Sequence, residues 1–188
     1  MMASSAMNGA VYDSTMNIYF KLRYSKVFDA MLATPLGPAD VAVGEIGWAV
    51  LRGFIYSMSF LACLAALGLA GSWWVLAALP ACFLIGFAFA SVGMALTTYM
   101  RSWADFDWVP AIMFPLFLFS ATFYPLSSYG GLAWIVQLSP LYHGVALVRG
   151  ASLGVASWGM FVHVGVLLAL ATVGLSVAAR RVETLLLK

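Results

Sequence analysis

The sequence predicts an all-α, polytopic membrane helix bundle of about five spans. Three observations carry this reading. First, 64 % of the 188 residues are hydrophobic and only 9 % are charged, whereas a soluble domain coats itself with about a quarter charged residues. Second, the charges are bunched. Arg52 and Arg101 enclose 48 residues free of Asp, Glu, Lys and Arg, Asp107 and Arg149 enclose 41, and Arg149 and Arg180 enclose 30. A helical crossing takes roughly 20 apolar residues, so the gaps hold about two, one-plus and one crossings. Third, tryptophan favours the membrane–water interface, and Trp48, Trp73, Trp74, Trp103, Trp108, Trp134 and Trp158 all fall near an expected span end or outside a span.

The first span covers 3–20 and is unusually polar, with Asn8, Asp13 and Asn17. Gly9, Asp13, Asn17 and Lys21 recur at i+4 on one helix face. Only neighbouring helices or water would accept that face. An unpaired Asp at mid-membrane costs roughly 2.5–3.5 kcal/mol, so Asp13 requires a partner or water. Pairing with Arg52 or another polar group is one reading; lining a substrate path is the other.

The loop 21–45 opens with Lys21, Arg23 and Lys26. Val27 to Ala33 forms a short helix with Phe28, Met31 and Leu32 on one side. Thr34-Pro35-Leu36-Gly37-Pro38 stops it. Pro38 suits the first turn of the next helix, Asp40 its positive end, and Gly37 its N-cap. The second span is 46–67, followed by a turn over 68–72. The third is 73–99, where Gly86, Ala90 and Gly93 make a small-residue stripe read as close helix packing. A charged loop, 101–107, leads to the fourth span, 108–124, which contains Pro110 and Pro115. Residues 126–153 form a semi-polar outer segment. The fifth span is 157–179, and Arg180, Arg181, Glu183 and Lys188 finish the chain in water.

Basic residues favour the cytoplasmic side. With 21–45 inside, Lys21, Arg23, Lys26, Arg101, Arg180, Arg181 and Lys188 are all cytoplasmic, and Arg149 alone is outside. Arg52 lies within a helix from which its stem can snorkel. The C-terminus is then cytoplasmic and the N-terminus outside. Met1-Met2 already stands at the membrane, so the first span lacks an outer end and the expectation is of an N-terminally truncated protein.

The sequence offers no catalytic, cofactor-binding or metal-binding set. There is no Gly-Lys-Ser/Thr phosphate loop, and His143 and His163 stand alone without metal-ligand spacing. Cys63 and Cys82 fall inside spans, which speaks against a disulfide framework. No basic stretch precedes an apolar run at the start, so no cleavable signal peptide is expected. The net charge of +2 gives no reason to expect nucleic acid. An intramembrane enzyme would need several ionisable groups at one depth, and only Asp13 and Arg52 or His163 offer themselves. Glu45 and Arg52, seven apart on one face, form either an inner gate network or headgroup anchors. His143 and Arg149 stabilise the outer segment or touch substrate. The 24–45 stretch fits a helix that docks into a soluble partner and passes displacement to the attached span. It fits equally a helix whose Phe28, Met31 and Leu32 lie against lipid headgroups.

Two stretches carry a resemblance. Tyr24-Ser25-Lys26-Val27-Phe28-Asp29-Ala30-Met31-Leu32-Ala33-Thr34-Pro35-Leu36-Gly37-Pro38-Ala39-Asp40, followed by Gly44-Glu45-Ile46, resembles the cytoplasmic loop of type-2 ATP-binding-cassette exporter permeases. The branch is that of the drug-resistance and nodulation lipooligosaccharide permeases. Phe123-Tyr124-Pro125-Leu126, Leu138-Ser139-Pro140-Leu141-Tyr142-His143-Gly144 and Leu147-Val148-Arg149-Gly150 resemble that branch's outer segment. The resemblance implies spans two to six of a six-span permease in a bacterial inner membrane. It implies partners: ATP-binding-cassette ATPase subunits, which would hold ATP and Mg themselves, and a second permease copy or paralogue. Tyr24, Lys26, Phe28, Asp29, Met31, Leu32 and Pro35 would then couple to the ATPase. Asp13, Asn17, Glu45 and Arg52 would belong to a pathway or gate, and Pro140, Tyr142, His143 and Arg149 to the outer re-entrant helices. The implied cargo is an amphipathic drug, lipid or glycolipid. The competing expectation is a non-transporting structural or assembly subunit, or an inactive remnant.

Overall fold

In the computed structural model, which describes residues 1–25, 27–32, 34–68, 73–124, 126–155 and 157–186, the described residues are mostly helical and include no strand. Helix α1 (Met2–Tyr12) runs through a π-helical stretch (Asp13–Asn17) into α2 (Ile18–Arg23), and the junction residues keep right-handed helical angles. The three pieces make a rod of roughly 30 Å at helical rise, close to the hydrocarbon thickness of a bilayer. Next come α3 (Val27–Leu32), α4 (Pro38–Ala66) and a 3₁₀ turn (Trp73–Ala77) leading into α5 (Ala78–Thr97). A second 3₁₀ turn (Trp103–Asp107) enters α6 (Trp108–Leu118). The segment after α6 comprises a 3₁₀ stretch (Leu126–Leu132), α7 (Ala133–Leu138) and α8 (Pro140–Leu153), and α9 (Trp158–Leu186) is the last described helix. Among the described residues three helical stretches, Pro38–Ala66, Trp74–Thr97 and Trp158–Leu185, are long and apolar enough to cross a membrane.

Helix α4 starts where its local chemistry directs. Pro38 occupies the first turn, and the Gly37 N–H donates to Asp40 Oδ2 at 2.9 Å. Helix α6 differs from expectation. The apolar run 108–124 is α-helical only to Leu118, about half a crossing at 1.5 Å per residue. Pro115 sits inside it and supplies no N–H to the ladder. Beyond it Phe119 leaves the helical region, Ser120 Oγ takes the Phe117 carbonyl at 2.8 Å, and Ala121 adopts a positive φ of 55°.

Helix α5 is the axis of the bundle and packs against α1, α4, α8 and α9. Half of its apolar window is buried, against 28 % for α4 and 17 % for α9. Those two helices therefore turn broad faces outward, including Val43, Trp48 and Ile55 on α4 and Phe161, Val162 and Val173 on α9. Small residues bring the helix axes together. A Cβ added at Gly53 would stand 3.1 Å from the Ala6 carbonyl oxygen, and one at Gly174 would stand 2.8 Å from the Ser91 carbonyl carbon. A Cβ at Gly93 would run into the Ser14 side chain. The stripe on the third span is thus a packing surface. Apolar side chains gather in two cores, one around Ile85, Leu141 and Leu167, the other around Phe28, Ile46, Met94 and Val182.

Candidate functional site

The chain from α1 through α4 forms a hairpin whose legs meet along the polar face seen in the sequence. Gly9 faces Gly53 and Tyr56, Asp13 faces Arg52, and Lys21 faces Glu45. Rising positions on one leg thus pair with falling positions on the other. Arg52 Nη1 lies 2.6 Å from Asp13 Oδ1. Lys21 Nζ donates to both Glu45 oxygens, at 2.7 and 2.8 Å. The carboxylates are nearly enclosed, with side-chain exposures of 4 % for Asp13 and 7 % for Glu45, while Arg52 keeps 42 %. Its guanidinium also lies 5.6 Å from the Trp48 ring centroid, a cation–π distance. Asp13 begins the π-helical stretch, where Thr15 Oγ1 donates to the Val11 carbonyl at 2.7 Å. Asn17 ends that stretch, half-buried and outside both ion pairs. Glu45 and Arg52 do not pair with each other; among the described residues, each takes its partner from the opposite leg.

The bend of the hairpin is α3. Phe28, expected on a docking face or against lipid headgroups, is 1 % exposed and packs into the inner core with Val41, Ile46 and Val182. Met31 packs against the same core. An amphipathic pattern names the apolar face of a short helix but not what covers it, and here the protein's own core does. Tyr24, Ala30, Thr34, Pro35 and Leu36 form the exposed surface of the bend. Lys26 lies outside the described residues, as do the Asp29 and Leu32 side chains.

Sequence reasoning missed how the bend is tied to its neighbour. Tyr24 Oη accepts a hydrogen bond from Trp103 Nε1 at 2.8 Å, and Arg23 Nη2 donates to the Met100 carbonyl at 3.1 Å. Tyr19 packs edge-on against Phe106, centroids 4.9 Å apart, and Phe20 against Trp103 at 5.4 Å. The signal lay in the aromatics flanking the 21–45 and 101–107 loops. In the 101–107 loop, Asp105 Oδ2 accepts from the N–H groups of Arg101 (2.6 Å) and Ser102 (3.0 Å), and these bonds hold its carboxyl below the usual carboxylate range. Arg181 lies 4.2 Å from the Tyr99 ring centroid. One end of the bundle thereby gathers Lys21, Arg23, Arg101 and Arg181.

Arg149 belongs to the opposite end and donates to the Ala121 carbonyl at 3.1 Å. Pro140 occupies the first turn of α8, and Gly144 meets Ile85 closely enough that an added Cβ would stand 2.9 Å from it. His143 and His163, expected to stand alone, are instead in direct contact, Nδ1 to Nδ1 at 2.7 Å. Twenty residues and a helix break separate them in sequence, so spacing alone did not reveal the pair.

Residues 1–153 match the ABC-2 type transporter family. Over 169 residues the chain is 29 % identical to Nodulation protein J of Rhizobium leguminosarum bv. viciae, covering 89 % of this chain and 65 % of that protein. It is 28 % identical to Nodulation protein J of Sinorhizobium fredii, covering 89 % and 64 %. With Nodulation protein J of Rhizobium leguminosarum bv. trifolii the identity is 30 % over 172 residues, again covering 89 % and 64 %. The chain thus spans just under two thirds of the length of these relatives. No solved structure matches it.

Proposed function

Because the chain belongs to the ABC-2 type transporter family, we propose that it is the membrane-embedded permease subunit of an exporter driven by separate ATP-binding-cassette ATPase subunits. The cargo is an amphipathic drug, lipid or glycolipid, moved out across a bacterial inner membrane. The end that gathers Lys21, Arg23, Arg101 and Arg181 faces the cytoplasm. A second permease copy or a paralogue completes the transporter. ATP and Mg bind in the ATPase, and this chain performs no chemistry.

The α1–α4 hairpin is the observation that supports this reading most directly. A short helix joins two long legs, and each leg supplies one member of two ion pairs. Displacing the bend therefore moves both legs. The ATPase meets the exposed residues Tyr24, Ala30, Pro35 and Leu36, whereas Phe28 and Met31 hold α3 to the bundle. Asp13, Glu45, Lys21 and Arg52 act as clamps between the legs. Two conformations with different ATPase contacts are required for such coupling.

The test places Asp at Ala30 or Leu36 in the full-length transporter. ATPase co-purification and ATP-dependent export should fall while membrane insertion is unchanged. Normal co-purification and export in both variants would refute the docking surface.

A further inference from the structure

His143 and His163 are the chain's two histidines, and the fold turns them face to face across the contact of α8 with α9. Their Nδ1 atoms lie 2.7 Å apart and their ring centroids 5.0 Å apart. Tyr142 closes one side, edge-on to both rings, with centroids at 5.6 and 6.0 Å. Both rings are only partly exposed. At this distance one Nδ1 carries a proton and the other presents its lone pair. The two nitrogens therefore aim at a single point between the helices.

We propose that this pair is a binding site for a zinc-like divalent transition-metal ion that bridges α8 and α9. Imidazole nitrogen suits zinc, copper and nickel and does not suit magnesium or calcium. Zn–N bonds of about 2.0–2.1 Å at a tetrahedral angle put the two nitrogens about 3.4 Å apart. The pair must open by about 0.7 Å to reach that separation, which small side-chain rotations supply. The bridging proton passes to Nε2 of its own ring, so a neutral pair takes up the metal without net proton release. A protonated pair must lose a proton first, and affinity falls as pH falls. Among the described residues no third His, Cys, Asp or Glu completes the set. Water fills the remaining positions, and the affinity is micromolar rather than nanomolar. The bound ion ties the outer segment to the last long helix. This inference stands on the geometry of the pair and is independent of the transport reading.

The test uses the full chain, free of any histidine tag, in lipid nanodiscs, with exposed Cys63 replaced as Cys63→Ser. Calorimetric titration with zinc chloride should give one ion per chain at micromolar affinity, with no response to magnesium chloride. His143→Gln and His163→Gln should each weaken binding at least about tenfold. In the chain that keeps both histidines, zinc should slow their carbethoxylation by diethyl pyrocarbonate, a readout that requires no variant to fold. Absence of binding at millimolar zinc, unchanged affinity in both Gln variants, or unprotected histidines at saturating zinc would each overturn the site.

Discussion

Replacing Arg52 with methionine is the sharpest perturbation of the hairpin. It keeps most of the stem that lies along α4 and removes the guanidinium 2.6 Å from Asp13. The Asp13 carboxylate is 4 % exposed and would be left without its cation. Breaking a buried pair from one side costs about 3–5 kcal/mol. Two features lower that figure. Arg52 is 42 % exposed, so solvent already screens part of the attraction. The carboxyl can also take a proton, which at pH 7 caps the penalty near about 4 kcal/mol for an ordinary carboxyl. The expected loss for Arg52→Met is therefore about 2–3 kcal/mol. Asp13→Asn should cost about 1 kcal/mol, because the amide still accepts a hydrogen bond and the half-exposed arginine stays hydrated. The double variant buries no unpaired charge and should lie within about 1 kcal/mol of the parent. The assay is a double-mutant cycle on reversible unfolding in mixed detergent–lipid micelles, with a coupling energy of about 2–4 kcal/mol expected. If Arg52→Met cost no more than a surface substitution, or the two effects simply added, the clamp would not exist.

Three further outcomes follow from single contacts. Trp103→Phe keeps an aromatic ring against Phe20 and Tyr19 but removes the hydrogen bond to Tyr24. It should cost about 0.5–1 kcal/mol in the same unfolding assay and quicken hydrogen exchange in 101–107; unchanged exchange would show that the loop is not tied there. Gly93→Ala puts a methyl into the Ser14 side chain and should cost about 1–3 kcal/mol. Ser14→Ala should recover part of that loss, since Ser14 Cβ lies 3.3 Å from the added atom; no recovery would place the strain elsewhere. Asp105 has a folded pKa below its usual value because two backbone N–H groups favour the carboxylate. Its contribution is present above the ordinary carboxyl range and lost only as pH falls through the lower folded value. Protection of the Arg101 and Ser102 amides should persist at mildly acid pH and disappear in Asp105→Asn, and survival of that protection would refute the cap.

Much of the hairpin was legible because local chemistry dictates it. The i+4 polar face of the first span had to meet another helix, and Asp13 with Arg52 were the charges deepest in their spans. Pro38 with Asp40 specified the start of α4. What escaped depended on tertiary placement. The i, i+3 pattern of Phe28 and Met31 is equally good for docking outward or packing inward, and the energy that decides is the closure of the inner core. No residue in Asp13–Asn17 marks a π-helical turn. The apolar stretch after Leu118 reads as a continuing span because hydrophobicity does not report backbone angles; Pro115 was the available warning. The histidine contact joins two elements and has no local signature.

Helix α6 runs between a turn tied to the bend of the hairpin and a turn tied to α8. At its entry the Trp103–Asp107 turn is held by aromatic packing to Tyr19, Phe20 and Tyr24. At its exit the turn Ser120–Thr122 is held by Arg149 of α8, and Thr122 lies within hydrogen-bond reach of Ser4. A cleft of about 200 Å³ between α1 and α6 is lined by Asn8, Tyr12, Pro110, Met113, Phe114 and Phe117. On the proposed function, motion of the bend would reach this cleft by two routes. The ion pairs of the hairpin have largely enclosed carboxylates, while their half-exposed cations keep part of the attraction screened by solvent. The link to α6 rests on aromatic packing around the buried Tyr19 and on the hydrogen bonds of Trp103 to Tyr24 and of Arg23 to the Met100 carbonyl. Because Pro115 interrupts the ladder near the outer end of α6, rotation that does reach it is absorbed there, and the outer turn stays with α8. On that reading the cleft would open from the bend while its far end stays held by Arg149.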